Sequence, residues 1–103
     1  TDAAGMKILV VEDNEINMEI AEFYLTEAGA KTEKAWNGAE AVQKFAESET
    51  GSFDVILMDL MMPQMGGLEA TRRIRKMDRE DAKSIPIDIK TILAVFDQVF
   101  GTS

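Results

Sequence analysis

The stretch Phe53-Asp54-Val55-Ile56-Leu57-Met58-Asp59 decides the fold of this chain. Its apolar run, Val55 to Met58, is too short for a helix and is soon followed by Pro63. Such a run predicts a strand buried on both faces, as in a parallel sheet covered by helices. The run ends at Asp59, and open α/β sheets bind ligands at the carboxyl ends of their strands. Asp59 is therefore a candidate site residue, the alternative being a strand-terminating carboxylate that only faces water.

Composition narrows the classes of function. The chain has 103 residues, 46% hydrophobic and 29% charged, as expected for one globular domain. It has no cysteine or histidine, which excludes disulfides and thiolate or imidazole metal sites. The net charge of -8 argues against nucleic acid as a direct partner. No segment has the pattern of a membrane span or signal peptide. The absence of cysteine fits a cytoplasmic protein, which is the location we expect.

The first predicted strand is also followed directly by carboxylates. Met6 to Val11 predicts a strand, and Glu12 and Asp13 follow it directly. Asn14 is a good N-cap for a first helix, which Gly29 ends. Apolar residues recur at helical spacing in this helix: Ile16, Ile20, Phe23 and Tyr24.

The second βα unit is more polar. Ala30 to Trp36 predicts a strand whose charges suit the edge of a sheet. Asn37-Gly38 then breaks the chain, and Asn37 with Glu40 resembles a capping box. The buried residues expected in the second helix are Ala41, Val42, Phe45 and Ala46.

The chain after Asp59 predicts a loop, a third helix, a linker and a last helix. We expect Gly66-Gly67 to adopt backbone angles that other residues resist. The third helix, Leu68 to about Met77, should face inward with Leu68, Ala70, Thr71, Ile74 and Met77. Its basic end (Arg72, Arg73, Arg75, Lys76) is better explained as a solvated, dipole-matched face than as a docking site.

The remaining residues carry weaker signals. Asp78 to Ser84 reads as a charged linker, and Ile85 to Ile89 as a stub of strand confined to an edge by Pro86. Asp88 is expected to cap the last helix, whose apolar face is Ile89, Ile92, Leu93, Phe96 and Val99. The alternation of strands and helices specifies an α/β fold, with a parallel sheet covered by helices on both faces.

Three carboxylates should meet at one edge of this sheet. Glu12 and Asp13 end one strand, and Asp59 ends its predicted neighbour. Like charges that close either retain a proton or bind a cation. Oxygen ligands without His or Cys select Mg²⁺ or Ca²⁺, and Mg²⁺ commonly shares its coordination sphere with phosphate oxygens. Because Asp is a competent nucleophile toward phosphorus, the pattern indicates phosphoryl chemistry.

Two motifs occur in order: ILVVEDN at residues 8–14 and DVILMDLMMP at residues 54–63, followed by Gly66-Gly67. They resemble the receiver domain of two-component response regulators and are similar to receivers of hybrid histidine kinases. The resemblance covers residues 6–84, and residues 88–100 resemble the family's last helix. It implies a single receiver domain over residues 1–103. The implied fold is a three-layer, doubly wound, flavodoxin-like (CheY-like) sheet of order 2-1-3 with a possible fourth strand.

The resemblance also implies roles for individual residues. Asp59 would be the phosphoacceptor. Asp13 would bind Mg²⁺ directly, Glu12 through water, and Met61 through its backbone carbonyl. The implied partner is a histidine kinase or phosphotransfer protein.

The chain departs from the family after the third helix. A receiver carries a Ser or Thr after strand four and a Lys before a Pro after strand five, and the segment around strand 4, helix 4 and strand 5 is missing. Three explanations are open for the missing segment. The chain is an engineered deletion, or its sequence omits one segment, or, as the least favoured explanation, it is a natural degenerate receiver. Lys83 is the only nearby candidate to replace the missing Lys. Because that positive charge is missing, we expect Asp59 to accept a phosphoryl group slowly.

Three functions remain open at this point. The first is a phosphorelay receiver that is at most self-phosphorylating and is not an enzyme. The second is a cation-binding interaction module, or an engineered truncation, without a phosphorylation switch. An Asp-nucleophile phosphatase is disfavoured, because such enzymes carry an acid–base Asp two residues after the nucleophile and position 61 is Met.

Loss of strands four and five would expose the strand before Asp59 as a sheet edge. Either the stub pairs there or two chains associate, and we favour a homodimer.

Overall fold

Strands and helices alternate in the computed structural model, which describes residues 4–59, 62 and 65–89. Each strand of the first three units is followed by a helix, as the sequence predicts. The elements are β1 (Lys7–Val11), α1 (Glu15–Glu27), β2 (Lys31–Ala35), α2 (Gly38–Glu47), β3 (Val55–Met58), α3 (Gly67–Arg75), α4 (Glu80–Ser84) and β4 (Ile87–Ile89).

The four strands form one parallel sheet in the order β2-β1-β3-β4. The predicted order 2-1-3 is confirmed, and β2 lies at an edge as its charges suggested. The predicted stub pairs with β3, where Ile56 aligns with Ile87 and Met58 with Ile89. The stub therefore takes the place beside β3 that a second chain was expected to occupy, and β3 is an interior strand.

Helices cover both faces of the sheet and make three layers. On one face, Met18 and Ala21 of α1 pack with Ile8 and Val10 of β1. On the other face lie α2, α3 and α4. Their buried residues form a larger core with the sheet: Leu9, Val11, Ala35, Ala41, Phe45, Phe53, Ile56, Met58, Met62, Ala70, Ile74, Ala82 and Ile85. The doubly wound α/β fold is thus confirmed. β3 is fully buried only on this second face, because Val55 and Leu57 on the α1 side stay half-buried.

The apolar spacing in α1 predicts the helix correctly but not its buried face. Ile16 and Phe23 are 67% and 57% exposed, whereas Met18 and Ala21 are buried. The helix carries two apolar stripes, and the stripe with the smaller side chains fits against β1. Asn14 caps the helix as predicted, since its Oδ1 accepts a hydrogen bond from the Asn17 backbone N–H at 2.9 Å.

Two more inward predictions are wrong, for Ala46 in α2 and Leu68 in α3, which are both exposed. The buried residues of α3 are Gly67, Ala70 and Ile74, and Leu68, two positions before Ala70, faces the opposite side of the helix. Phe45 and Ile74 occupy the buried positions of these helices, as predicted.

The region 78–89 is more regular than the sequence suggests. The predicted linker contains α4, whose Ala82 is buried in the core. Asp88 lies inside β4 and therefore does not cap a helix, because pairing with β3 extends the stub through Ile89. The rest of the predicted last helix, from residue 90 onward, lies outside the described residues.

Arg79 links the end of α2 to α4 in what we call the Arg79 cluster, with Asp81, Phe45 and Ser48. Its Nε and Nη2 donate to the two carboxylate oxygens of Asp81 at 2.7 and 2.9 Å. Its Nη1 donates to the backbone carbonyls of Phe45 and Ser48 at 2.8 and 2.9 Å, and the guanidinium lies 4.3 Å from the Phe45 ring centroid. The Phe45 carbonyl also accepts from the backbone N–H of Ser48, the capping residue, so the guanidinium adds donors to carbonyls that lie beyond the last full turn of α2.

Within the described part of the chain, no helix combines the length and apolar character needed to cross a bilayer.

Candidate functional site

The ends of β1 and β3 fix the backbone of the predicted site residues. The Glu12 N–H donates to the Ala35 carbonyl of β2 at 3.0 Å, and the Asp59 N–H donates to the Val11 carbonyl of β1 at 2.9 Å. These bonds continue the parallel ladder one residue beyond the strands. The backbones of Glu12 and Asp59 are consequently held at the same edge of the sheet.

Glu12, Asp13 and Asp59 come together as predicted and form what we call the carboxylate cluster. One carboxylate oxygen from each lies within 4.8 Å of the other two. Glu12 is 1% exposed and Asp59 6% exposed, whereas Asp13 faces solvent. Two carboxylates are thus buried beside a third at one short edge, an arrangement that costs free energy unless a proton or cation compensates it.

Glu12 is the most constrained member of the cluster. Its Oε2 accepts a hydrogen bond from the Asn14 backbone N–H at 2.9 Å. Its Oε1 is buried and, among the described residues, has no hydrogen-bond partner. Burial raises the pKa of Glu12 to about 7, the Asn14 N–H opposes this rise, and the charge of Asp59 adds to it.

The cluster fits a hard divalent cation. All three side chains offer oxygen, which Mg²⁺ and Ca²⁺ prefer, and Oε1 of Glu12 is a buried acceptor that a coordinated water or ion would satisfy. The fourth predicted ligand, the backbone carbonyl of Met61, lies outside the described residues.

The two glycines after Asp59 have a different role from the predicted one. Gly66 has φ -71°, and the glycines with positive φ among the described residues are Gly5, Gly29 and Gly51. Gly67 instead allows close approach, since a Cβ there would lie 2.7 Å from the Asp59 carbonyl oxygen. Gly38 is similar, because a Cβ there would overlap Met65. In the sequence, Gly38 indicates only a chain break, because the overlap depends on a contact with a residue far along the chain.

Lys83 does not serve the carboxylate cluster. Its Nζ donates to the carbonyls of Arg75 and Met77, at 2.7 and 2.8 Å. These carbonyls lie at the end of α3, whereas the residue next to Asp59 is Gly67 at its beginning. The prediction that Lys83 stands near Asp59 is therefore wrong: Lys83 lies in the last turn of α4, and its ammonium meets the negative, carbonyl end of α3.

Exposed apolar side chains flank the edge that carries the cluster. Ile16 is 67% exposed near the start of α1, and Leu68 is 62% exposed near the start of α3. Both helices begin at the carboxyl edge of the sheet, because each follows a strand that ends there. The carboxylates therefore share an edge of the sheet with the starts of two helices that each carry an exposed apolar side chain.

Comparison with known proteins identifies the family. Residues 8–96 match the model of the response regulator receiver domain. The chain belongs to the response regulator receiver family. Receiver domains of this family are signalling modules. The response regulator SSK1 of Arthrobotrys oligospora is 40% identical over 75 residues, which cover 73% of this chain and 7% of that protein. The chain thus spans a small fraction of that relative's length.

Solved receiver structures share the fold. The receiver domain of sensor histidine kinase PA1611 from Pseudomonas aeruginosa, with a magnesium ion coordinated in its active site cleft, is 34% identical with a TM-score of 0.74. That similarity covers 84% of this chain and 66% of the other. The Saccharomyces cerevisiae Ssk1 receiver, in complex with the phosphotransfer protein Ypd1, is 36% identical with a TM-score of 0.64, covering 73% of this chain and 49% of that one. The partial coverage is consistent with a shortened receiver.

Proposed function

We propose that this chain is a phosphorelay receiver that accepts a phosphoryl group on Asp59 in a Mg²⁺-dependent reaction. The observation that carries the proposal is the carboxylate cluster at the carboxyl edge of β1 and β3. Asp59 is held there by its backbone bond to Val11, beside the buried Glu12. Bound Mg²⁺ would neutralise charge on the phosphoryl oxygens. Glu12, Asp13 and the Met61 carbonyl are the proposed ligands beside Asp59.

In the proposed step, an Asp59 carboxylate oxygen forms a bond to phosphorus while the bond to the leaving group breaks. With phosphohistidine the leaving group is an imidazole nitrogen, which takes the electron pair of the P–N bond and then a proton. The product is an aspartyl phosphate. Asp59 supplies the nucleophile, and the strand ends position it, so the chain contributes mainly orientation and charge.

The proposed partner is a histidine kinase or a histidine phosphotransfer protein. The apolar surface of Ile16 and Leu68 beside the carboxylates supports a protein surface rather than a free metabolite as phosphodonor. We expect Ile16→Ser to slow transfer from a phosphotransfer protein while labelling by acetyl phosphate stays unchanged. Phe23→Ser, equally polar but two turns farther along α1, is the matched control and should transfer like the wild type.

Labelling of Asp59 tests the function directly. The protein is incubated with acetyl phosphate and Mg²⁺, and intact mass and peptide mapping detect the phosphoryl group. Asp59→Asn should abolish labelling, and chelation of Mg²⁺ should suppress it. Asp54→Asn is the matched control, because Asp54 is exposed at the opposite end of β3 and accepts a hydrogen bond from the Lys7 backbone N–H. Labelling that survives Asp59→Asn would reject the proposed acceptor.

The same experiment separates the alternative function. A chain that binds Mg²⁺ but takes no phosphoryl group would be a cation-binding interaction module without a switch, which the missing Ser or Thr and Lys would explain. An enzyme acting on a separate substrate is not proposed.

The proposal also covers the extent of the domain, its cellular location and its oligomeric state. We propose one receiver domain over residues 1–103 with a cytoplasmic location. Homodimerisation stays a prediction with less support, because β4 now pairs with β3. Light scattering over a dilution series tests it, and a folded monomer at every concentration would contradict it.

A further inference from the structure

The loop that follows β3 is held against a glycine at each end. We call residues 59–66 the Asp59 loop, of which the structure describes Asp59, Met62, Met65 and Gly66. At its start, the Asp59 carbonyl oxygen lies where a Cβ on Gly67 would be only 2.7 Å away. At its end, a Cβ on Gly38 would lie 2.8 Å from the Met65 Cβ and 2.9 Å from its carbonyl carbon, and closer still to the carbonyl oxygen. Contacts this short do not occur between real side chains and backbone, so both positions must remain glycine or the loop must move.

The start of α2 cannot move away from the loop without losing its cap. The Asn37 Oδ1 accepts a hydrogen bond from the Glu40 backbone N–H at 2.8 Å, and the Glu40 Oε1 accepts one from the Trp36 backbone N–H at 3.0 Å. These reciprocal bonds fix the residues on both sides of Gly38. Just before them, the Ala35 carbonyl accepts the hydrogen bond of Glu12. The start of α2 is therefore tied to the edge of the sheet that carries the carboxylate cluster.

A side chain at position 38 would consequently displace the loop rather than the helix. The overlap involves the backbone of Met65, so rotation of the Met65 side chain cannot relieve it. Met65 is followed by Gly66 and Gly67, and Gly67 lies against the Asp59 carbonyl oxygen. A shift of Met65 by a fraction of an ångström would thus reach Asp59 through residues that are adjacent in the chain or in contact.

We propose that Gly38 is a positioning residue for phosphoryl transfer. Because Gly38 has no side chain, the start of α2 packs directly against Met65 and holds the Asp59 loop in place. The inference rests on the proposed function at Asp59. A misplacement of about 1 Å can reduce a rate by ~10²-fold, so a methyl group at Gly38 should impair labelling in a protein that remains folded. A purely structural role would lower stability alone.

The test uses Gly38→Ala and a rescue variant that also carries Met65→Gly. Labelling by acetyl phosphate is measured at saturating Mg²⁺, together with the Mg²⁺ dissociation constant and urea unfolding. Gly38→Ala should slow labelling by about tenfold or more. Met65→Gly in the same chain removes the Met65 Cβ and lets the carbonyl turn away, so it should recover at least part of the lost rate.

Gly51→Ala is the matched control. Gly51 has φ +83°, so a methyl group strains its backbone, but no atom of the described residues, apart from the two chain neighbours, lies within 4 Å of the added carbon. This variant should lose stability and label like the wild type. Equal labelling by Gly38→Ala and the wild type would overturn the inference, as would a failure of the rescue variant to recover any rate.

The inference can still be tested if Gly38→Ala does not fold or if the wild type is not labelled. If Gly38→Ala does not fold, Met65→Gly alone loosens the same contact from the loop side, and an unchanged labelling rate in that folded variant would overturn the inference. If the wild type itself is not labelled at Asp59, the proposed function fails. The positioning role is then decided by Mg²⁺ affinity, which Gly38→Ala should weaken by about tenfold and Gly51→Ala should leave unchanged.

Discussion

The carboxylate cluster and the Arg79 cluster are both groups of charged side chains, but only the second is internally satisfied. Arg79 donates to Asp81 and to the carbonyls of Phe45 and Ser48. In the carboxylate cluster, Glu12 Oε1 is buried without a hydrogen-bond partner among the described residues. One cluster joins elements of the fold, and the other holds charge that a ligand would compensate. The difference separates a stabilising site from a candidate functional site.

The pKa shifts of the two clusters have opposite signs. The hydrogen bonds from Arg79 lower the pKa of Asp81, so its contribution to stability is present at neutral pH and is lost as the pH falls below the ordinary value of 3.8. Burial raises the pKa of Glu12 from 4.5 to about 7. Its contribution is complete below pH 4.5 and is lost as the pH rises through 7.

Breaking the Arg79 cluster should have the largest effect on stability. We expect Arg79→Ala to lower the free energy of unfolding by about 3 kcal/mol, because Asp81 loses its charged partner and keeps a hydrogen bond from the Gly51 N–H. The Phe45 and Ser48 carbonyls also lose the guanidinium as a donor. Urea unfolding followed by circular dichroism measures the loss. Arg73→Ala is the control, since Arg73 is exposed and pairs only with Glu69 within its own helix. Wild-type stability in Arg79→Ala would mean that the cluster is dispensable.

The charge on Glu12 should have the next largest effect. Without divalent cation, raising the pH from about 5 to 8 should destabilise the wild type relative to Glu12→Gln by about 2 kcal/mol. Gln keeps an acceptor for the Asn14 N–H and carries no charge. Urea unfolding at each pH in EDTA measures the difference, and Glu19→Gln, at an exposed position on α1, should follow the wild type. If the free energy of unfolding depended on pH in the same way in the wild type and in Glu12→Gln, Glu12 would not be the group with the raised pKa.

Removal of a proposed ligand should weaken the cation site without weakening the fold. Asp13→Asn should raise the Mg²⁺ dissociation constant about tenfold, or ~1.4 kcal/mol, because it deletes a charge and keeps the side-chain shape. Trp36 fluorescence or amide NMR shifts follow the titration, and unfolding should cost no less free energy than in the wild type. Identical titrations by the two proteins would contradict the assigned ligand.

The smallest effect is expected at Lys83. Lys83→Ala should change Asp59 labelling by acetyl phosphate less than about twofold, because Lys83 bonds carbonyls at the end of α3. Lys90 lies outside the described residues, but in sequence it follows Ile89, which pairs with the residue before Asp59. We expect Lys90→Ala to slow labelling more than Lys83→Ala does. The reverse order would restore Lys83 as the replacement cation.

Local patterns in the sequence predict much of the fold and the acidic part of the site. The caps at Asn14 and Asn37 depend on residues only three positions away, and both are observed. The meeting of Glu12, Asp13 and Asp59 follows from parallel pairing, since strands that run in one direction end at the same edge.

Features that depend on distant residues were not predictable. The spacing in α1 offered two stripes, and packing on β1 buried Met18 instead of Phe23. Arg79 bonds to carbonyls more than thirty positions earlier in the chain. The contact between Gly38 and Met65 likewise exists only after α2 and the Asp59 loop have come together.

The central position of β1 has a consequence for how the protein folds. Ile8 pairs with Thr32 on one side and with Val55 on the other, so β1 is synthesised before both of the strands that it pairs with. Such nonlocal parallel pairing slows folding, because the entropy of closing long loops must be lost before the contacts form. During synthesis the apolar segment Ile8 to Val11 is therefore exposed until residues beyond Met58 emerge, which makes the nascent chain a candidate for chaperone binding.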